Sequence, residues 1–187
     1  MKLSKSILWT LVIMIVVAAV YRIIPGRPFG FAPQWALALF GGAVVKDKRI
    51  AFILPVLSMF ISDLLYQGLF AAGLTNIQGF YEGQWINYLL FASVTIFGIL
   101  IKRITVTNVI VMSLLAPTYF FLVSNFLTWT GVGEFVEYPK TLSGLLACYT
   151  VALPFYKMSL VATLVFSGVL FGGWYFITKK SQKTVAA

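Results

Sequence analysis

The chain has 187 residues, 60% of them hydrophobic and only 10% charged, with a mean hydropathy of +0.95. A soluble domain carries about 25% charged residues, so the composition excludes one and predicts a single all-α integral membrane domain over residues 1–187. The net charge of +9 does not point to nucleic acid, because Lys and Arg stand in short clusters between apolar runs and form no basic groove interleaved with aromatics.

Histidine is absent, which removes the commonest general base and metal ligand. Cys148 is the single cysteine, so no intrachain disulfide can form. Runs of alternating polarity are missing, which argues against an outer-membrane barrel.

In chain order, Lys2 and Lys5 precede a first apolar helix over about 7–24. A signal peptide has the same plan, with Val17-Ala18-Ala19 as a possible cleavage site. The apolar run continues past Ala19, and Tyr21 suits a membrane interface, so this segment reads as a retained membrane helix. Pro25, Gly26 and Pro28 end it, and Pro33 suits the first turn of a second helix over 31–45. Lys46, Asp47, Lys48 and Arg49 then form a basic tip, followed by a third helix over 50–66 with Pro55 inside it.

Residues 67–85 carry no Lys or Arg and read as an outer loop. Further helices are predicted over 86–101, 106–127 and 158–177, with Lys102 and Arg103 marking another inner turn. Residues 141–155, ending near Pro154, are too short for a crossing and read as a re-entrant or interfacial helix. Six spans with both termini in the cytoplasm put ten basic residues inside and four outside: Arg22, Arg27, Lys140 and Lys157. This is the pattern of a multi-pass protein of a bacterial cytoplasmic (inner) membrane.

The acids available for chemistry are Asp47, Asp63, Glu82, Glu134 and Glu137. No nucleophile–base constellation, zinc-protease motif or phosphate loop is present, so neither catalytic residues nor a metal or cofactor site is expected. Asp63 stands apart as the single acid inside an apolar run, and an ionisable group at that depth is a functional candidate. It can pair with Arg22 or bind a ligand donor, and the sequence does not choose.

Around it, at the outer helix ends, fall Gln34, Trp35, Tyr66 and Gln67, then Trp85, Asn87 and Tyr88, then Asn125, Trp129 and Tyr138. An interfacial aromatic belt explains most of the Trp and Tyr; an outward pocket with aromatic walls and polar anchors explains Asp63, Asn87 and Asn125 as well. Ala38-x-x-x-Gly42 and Gly168-x-x-x-Gly172 permit close helix packing, either internal or against a partner. Cys148 reads as a buried small hydrophobe, with a ligand thiol as the alternative.

The stretches FAPQWALALFGGAVV, LPVLSMFISDLL, SNFLTWTG and YPKTLSGLLACYTVALPFYK resemble the substrate-binding S components of energy-coupling factor (ECF) transporters, over roughly Pro25 to Phe176. The resemblance implies six membrane helices with cytoplasmic termini and an outward-facing site for a vitamin or similar micronutrient. It also implies energy from a separate membrane T component and two ATPases. The first helix lacks the small-xxx-small docking pattern frequent in that superfamily, which leaves room for a solitary transporter. Some cobalamin-binding relatives place a cysteine sulfur on the cobalt, so the resemblance makes cobalamin one candidate ligand. The competing reading is a structural or assembly membrane protein without ligand; an intramembrane enzyme ranks third.

Overall fold

The computed structural model describes residues 5–132 and 137–185. The described residues are helical, with no strand: α1 (Lys5–Arg22), α2 (Gln34–Val44), α3 (Lys48–Ala71), α4 (Gln84–Ile99), α5 (Val106–Thr130) and α6 (Leu142–Val185). Lys48–Ala71, Val106–Thr130 and Leu142–Thr178 are each long and apolar enough to cross a membrane. Glu134 lies outside the described residues, as does Lys2.

The basic tip between α2 and α3 terminates both helices. Lys48 Nζ donates to the carbonyls of Gly42 (2.9 Å) and Val45 (3.0 Å), which satisfies orphan acceptors at the negative end of the α2 dipole. Asp47 caps α3 by accepting from the Arg49 backbone N–H at 3.0 Å. Pro33 sits at the N-cap of α2, one residue before the helix begins.

Helix α2 is the centre of the bundle. Its residues Gln34 to Gly42 are all buried, and it packs on α1, α3, α4, α5 and α6. Small residues make this possible. A Cβ on Gly42 would meet the Ile99 backbone N at 2.8 Å, and one on Gly98 would meet the Leu39 backbone at 2.9 Å. Ala38 is fully buried, so Ala38 and Gly42 serve internal packing. Gly168 and Gly172 differ, because a Cβ at either meets nothing within 4 Å.

One expectation is corrected. The separate helices expected over 141–155 and 158–177 are a single helix of 44 residues, about 66 Å long, that continues through Pro154. Proline removes one helical hydrogen bond, yet in apolar surroundings no water can replace the other backbone partners, so the helix persists. Helix α5 also holds it in place. The pairs Ser113–Ser167, Thr118–Tyr156, Leu122–Tyr149 and Asn125–Cys148 climb the two helices in opposite directions, and Trp129–Pro139 continues the series just before α6. The segment after Thr141 is therefore an antiparallel partner of α5, continuous with the rest of α6.

The glycine geometry makes a prediction. Gly42→Ala and Gly98→Ala each force α2 and α4 apart and should cost about 1–3 kcal/mol. Gly168→Ala should leave the unfolding midpoint in detergent within error of the parent. Equal midpoints for all three variants would contradict the close α2–α4 packing.

Candidate functional site

Two groupings of polar and aromatic residues fall on opposite sides of α2. The first is the charge cluster between α1, α3 and α4. Arg22, the last residue of α1, forms an ion pair with Asp63, and its Nη1 also donates to Ser62 Oγ at 2.5 Å. The other carboxylate oxygen accepts from Gln84 Nε2 at 2.6 Å and from the Tyr88 hydroxyl at 2.7 Å. Asp63 is 2% exposed, so a carboxylate here needs every one of these donors.

Surrounding groups hold the cluster shut. The Tyr66 hydroxyl donates to the Arg22 carbonyl at 2.7 Å, and the guanidinium lies 5.7 Å from the centre of the Tyr66 ring. Gln84 Nε2 also reaches the Gly79 carbonyl at 2.9 Å, and Gln67 Oε1 accepts from the Gly79 N–H at 3.1 Å. Gly79 has to be glycine, since a Cβ there would meet the Gln67 backbone N at 2.6 Å and collide with the Asp63 carbonyl. The loop between α3 and α4 is thus folded down onto Asp63. Gln34 joins the same side, donating to the Ala18 carbonyl (3.2 Å) and Ser58 Oγ (3.4 Å).

The second grouping is a cavity of about 200 Å³ between α2, α5 and α6. Its walls are Trp35, Phe120, Phe121, Phe155 and Tyr156, with Gly30, Pro117 and Ala152 completing the apolar lining. Ser124, Asn125 and Ser159 are its polar members. Trp35 is wedged between Phe91 (5.0 Å) and Phe120 (5.5 Å), and its buried indole N–H has no hydrogen-bond partner. Phe121 and Tyr156 stack at 4.5 Å. Gly30, at φ +80°, lets the 23–33 connection press against the Phe155 backbone, where a Cβ would be 3.2 Å from Phe155 C.

The expected site residues are therefore divided. Trp35 and Asn125 line the cavity, while Asp63, Tyr66, Gln67, Tyr88 and Gln34 belong to the cluster and its supports. Asn87 pairs with the Tyr81 hydroxyl, and Trp85 is 61% exposed. Trp129 Nε1 donates to the Pro139 carbonyl at 2.9 Å, beside half-buried Tyr138. Cys148 is buried and its thiol points to the Asn125 carbonyl at 3.4 Å, directly behind the cavity wall. Ser62, Phe120, Phe121, Phe155, Tyr156 and Ser159 carried no signal in the sequence, since each is an ordinary residue of an apolar helix, and Gln84 falls in the expected 67–85 loop. Among the described residues no cluster of ligands suits a metal ion.

Asp63→Asn should lower stability by about 2–4 kcal/mol, because it strands the Arg22 charge and sets an amide N–H against a donor. Replacing the pair together, Arg22→Met with Asp63→Leu, should restore most of that loss. Denaturant unfolding in detergent measures both; a double variant no better than the single would show that the cluster is not a coupled unit.

No curated protein and no solved structure matches this chain. One family model matches residues 2–185, that of a family of unknown function, DUF6580, and the chain belongs to that family.

Proposed function

We propose that this is a multi-pass membrane protein that captures a small organic molecule, a vitamin or similar micronutrient, for uptake across a bacterial cytoplasmic membrane. The observation that carries the reading is the cavity of about 200 Å³ between α2, α5 and α6. Aromatic walls with a few polar anchors are the usual build of a small-molecule site. The topology we favour has six spans and cytoplasmic termini. In its support, the register of contacts (Gly42 with Thr95 and Gly98, Phe40 with Phe171) gathers the Lys46–Arg49 tip and the Lys102–Arg103 turn at one end of the bundle. The cavity lies toward the other end.

The cavity in this state is far too small for a corrinoid, so the ligand we favour is a compact one. An energy-coupling T component with two ATPases would drive uptake, or the chain works alone. A binding role suits the described acids better than catalysis. Asp63 is closed on its partners, Asp47 caps a helix, and Glu82 and Glu137 are exposed. The second reading, a structural membrane protein without ligand, draws on one observation: the Asp63 cluster is fully satisfied by the chain itself.

Native mass spectrometry of protein extracted in mild detergent should show one small molecule per chain. Ala152→Phe, which fills the cavity, should lose that mass while the unfolding midpoint stays within a few degrees. If the mass survives in Ala152→Phe, or if no vitamin-sized compound adds mass or raises the midpoint of the parent, the structural reading replaces this one.

A further inference from the structure

We propose, resting on the uptake reading, that the cavity selects an uncharged, planar one- or two-ring molecule that carries a hydrogen-bond donor such as a ring N–H. Three observations lead there. The first is size. At interior packing density, about 200 Å³ accommodates roughly ten non-hydrogen atoms. The second is charge. No charged side chain lines the cavity among the described residues, and Arg22 and Asp63, across α2, are locked to each other. An ionised ligand would lose its hydration and gain no counter-charge. Five aromatic side chains favour a flat ring instead.

The third is the direction of the hydrogen bonds. Ser159 Oγ donates to the Phe155 carbonyl at 2.8 Å, and Asn125 Nδ2 donates to the Phe121 carbonyl at 2.7 Å. Ser124 Oγ points its hydrogen to the same Phe121 carbonyl at 3.5 Å. Thr118 Oγ1 gives its hydrogen to the Leu114 carbonyl at 2.6 Å, so in its 2.8 Å contact with Tyr156 the tyrosine must donate. The Trp35 N–H has almost no accessible surface and does not open into the cavity. Each hydroxyl hydrogen is thus committed within the protein. What remains among these groups is chiefly oxygen lone pairs, from Ser124, Ser159, Tyr156 and Asn125 Oδ1, the last with a long contact from the Cys148 thiol at 3.9 Å; the second Asn125 amide hydrogen is the one donor left over. Such a lining pairs with donors, and a ligand that offers only acceptors would leave these oxygens unsatisfied.

The test uses indole, benzofuran and indole-3-acetate as probes of parent protein in nanodiscs, with affinities read by calorimetry. Indole and benzofuran match in size and shape and differ in one N–H. Indole should bind about fivefold or more tightly than benzofuran. Indole-3-acetate should bind more weakly than indole. Ala152→Phe should abolish binding of both neutral rings. Asn125→Ala, checked for an unchanged unfolding midpoint, should erase the preference for indole by weakening indole alone. Equal binding of indole and benzofuran, or tighter binding of indole-3-acetate, overturns the donor-bearing neutral class. If no ring binds, yet a co-purified molecule is lost in Ala152→Phe, the class is wrong and the uptake reading stands. If no ring binds and Ala152→Phe changes no bound mass, both fail.

Discussion

An arginine and an aspartate sit together inside a bundle of apolar helices, and most of the architecture around them follows from that constraint. Neither charge is tolerable alone in such surroundings, and the pair needs further hydrogen bonds to the lone pairs it leaves over. Arg22 therefore fixes the end of α1 against α3, and Gln84 and Tyr88 fix the start of α4 against the same carboxylate. The loop between α3 and α4 is drawn down onto the pair through Gly79, where a side chain would not fit. Three helices and a loop thus share one electrostatic knot. A charge pair of this kind defines a unique arrangement more than it adds stability, because apolar residues of similar shape could fill the space equally well.

The same constraint separates structure from function. A carboxylate whose oxygens already accept from Arg22, Gln84 and Tyr88 has little acceptor capacity left for a ligand. The cavity across α2 has the opposite character: no ion pair, aromatic walls, and hydroxyl oxygens with unused lone pairs. Adjacent residues of one helix serve the two sides, Gln34 the polar seam and Trp35 the cavity wall.

Several of these features were legible in the sequence for physical reasons. The basic tip was visible because cations are costly in apolar surroundings, and Asp63 stood out for the same reason. Trp35 and Asn125 are polar or amphipathic groups near helix ends, and both border the cavity. Other features left no local trace. The Arg22–Asp63 pairing is one of two options the sequence leaves open, since the residues stand 41 positions apart and packing alone decides between them. Gln84 falls in the 67–85 stretch that reads as an outer loop, with nothing to mark it as a partner of an acid. Phe120, Phe121, Phe155 and Tyr156 are unremarkable in apolar runs, and their meeting at one cavity depends on the antiparallel register of α5 and α6. That register was hidden because Pro154 suggested a break where the helix continues.

The most direct measurement is the bound mass of the doubly substituted chain, Arg22→Met with Asp63→Leu, by native mass spectrometry beside the parent. The account predicts a folded protein that retains the same small molecule in the same stoichiometry, since the pair holds the bundle and does not touch the ligand. A double variant that unfolds at the parent's midpoint but has lost the molecule would place the ligand on Asp63 and contradict the division drawn here.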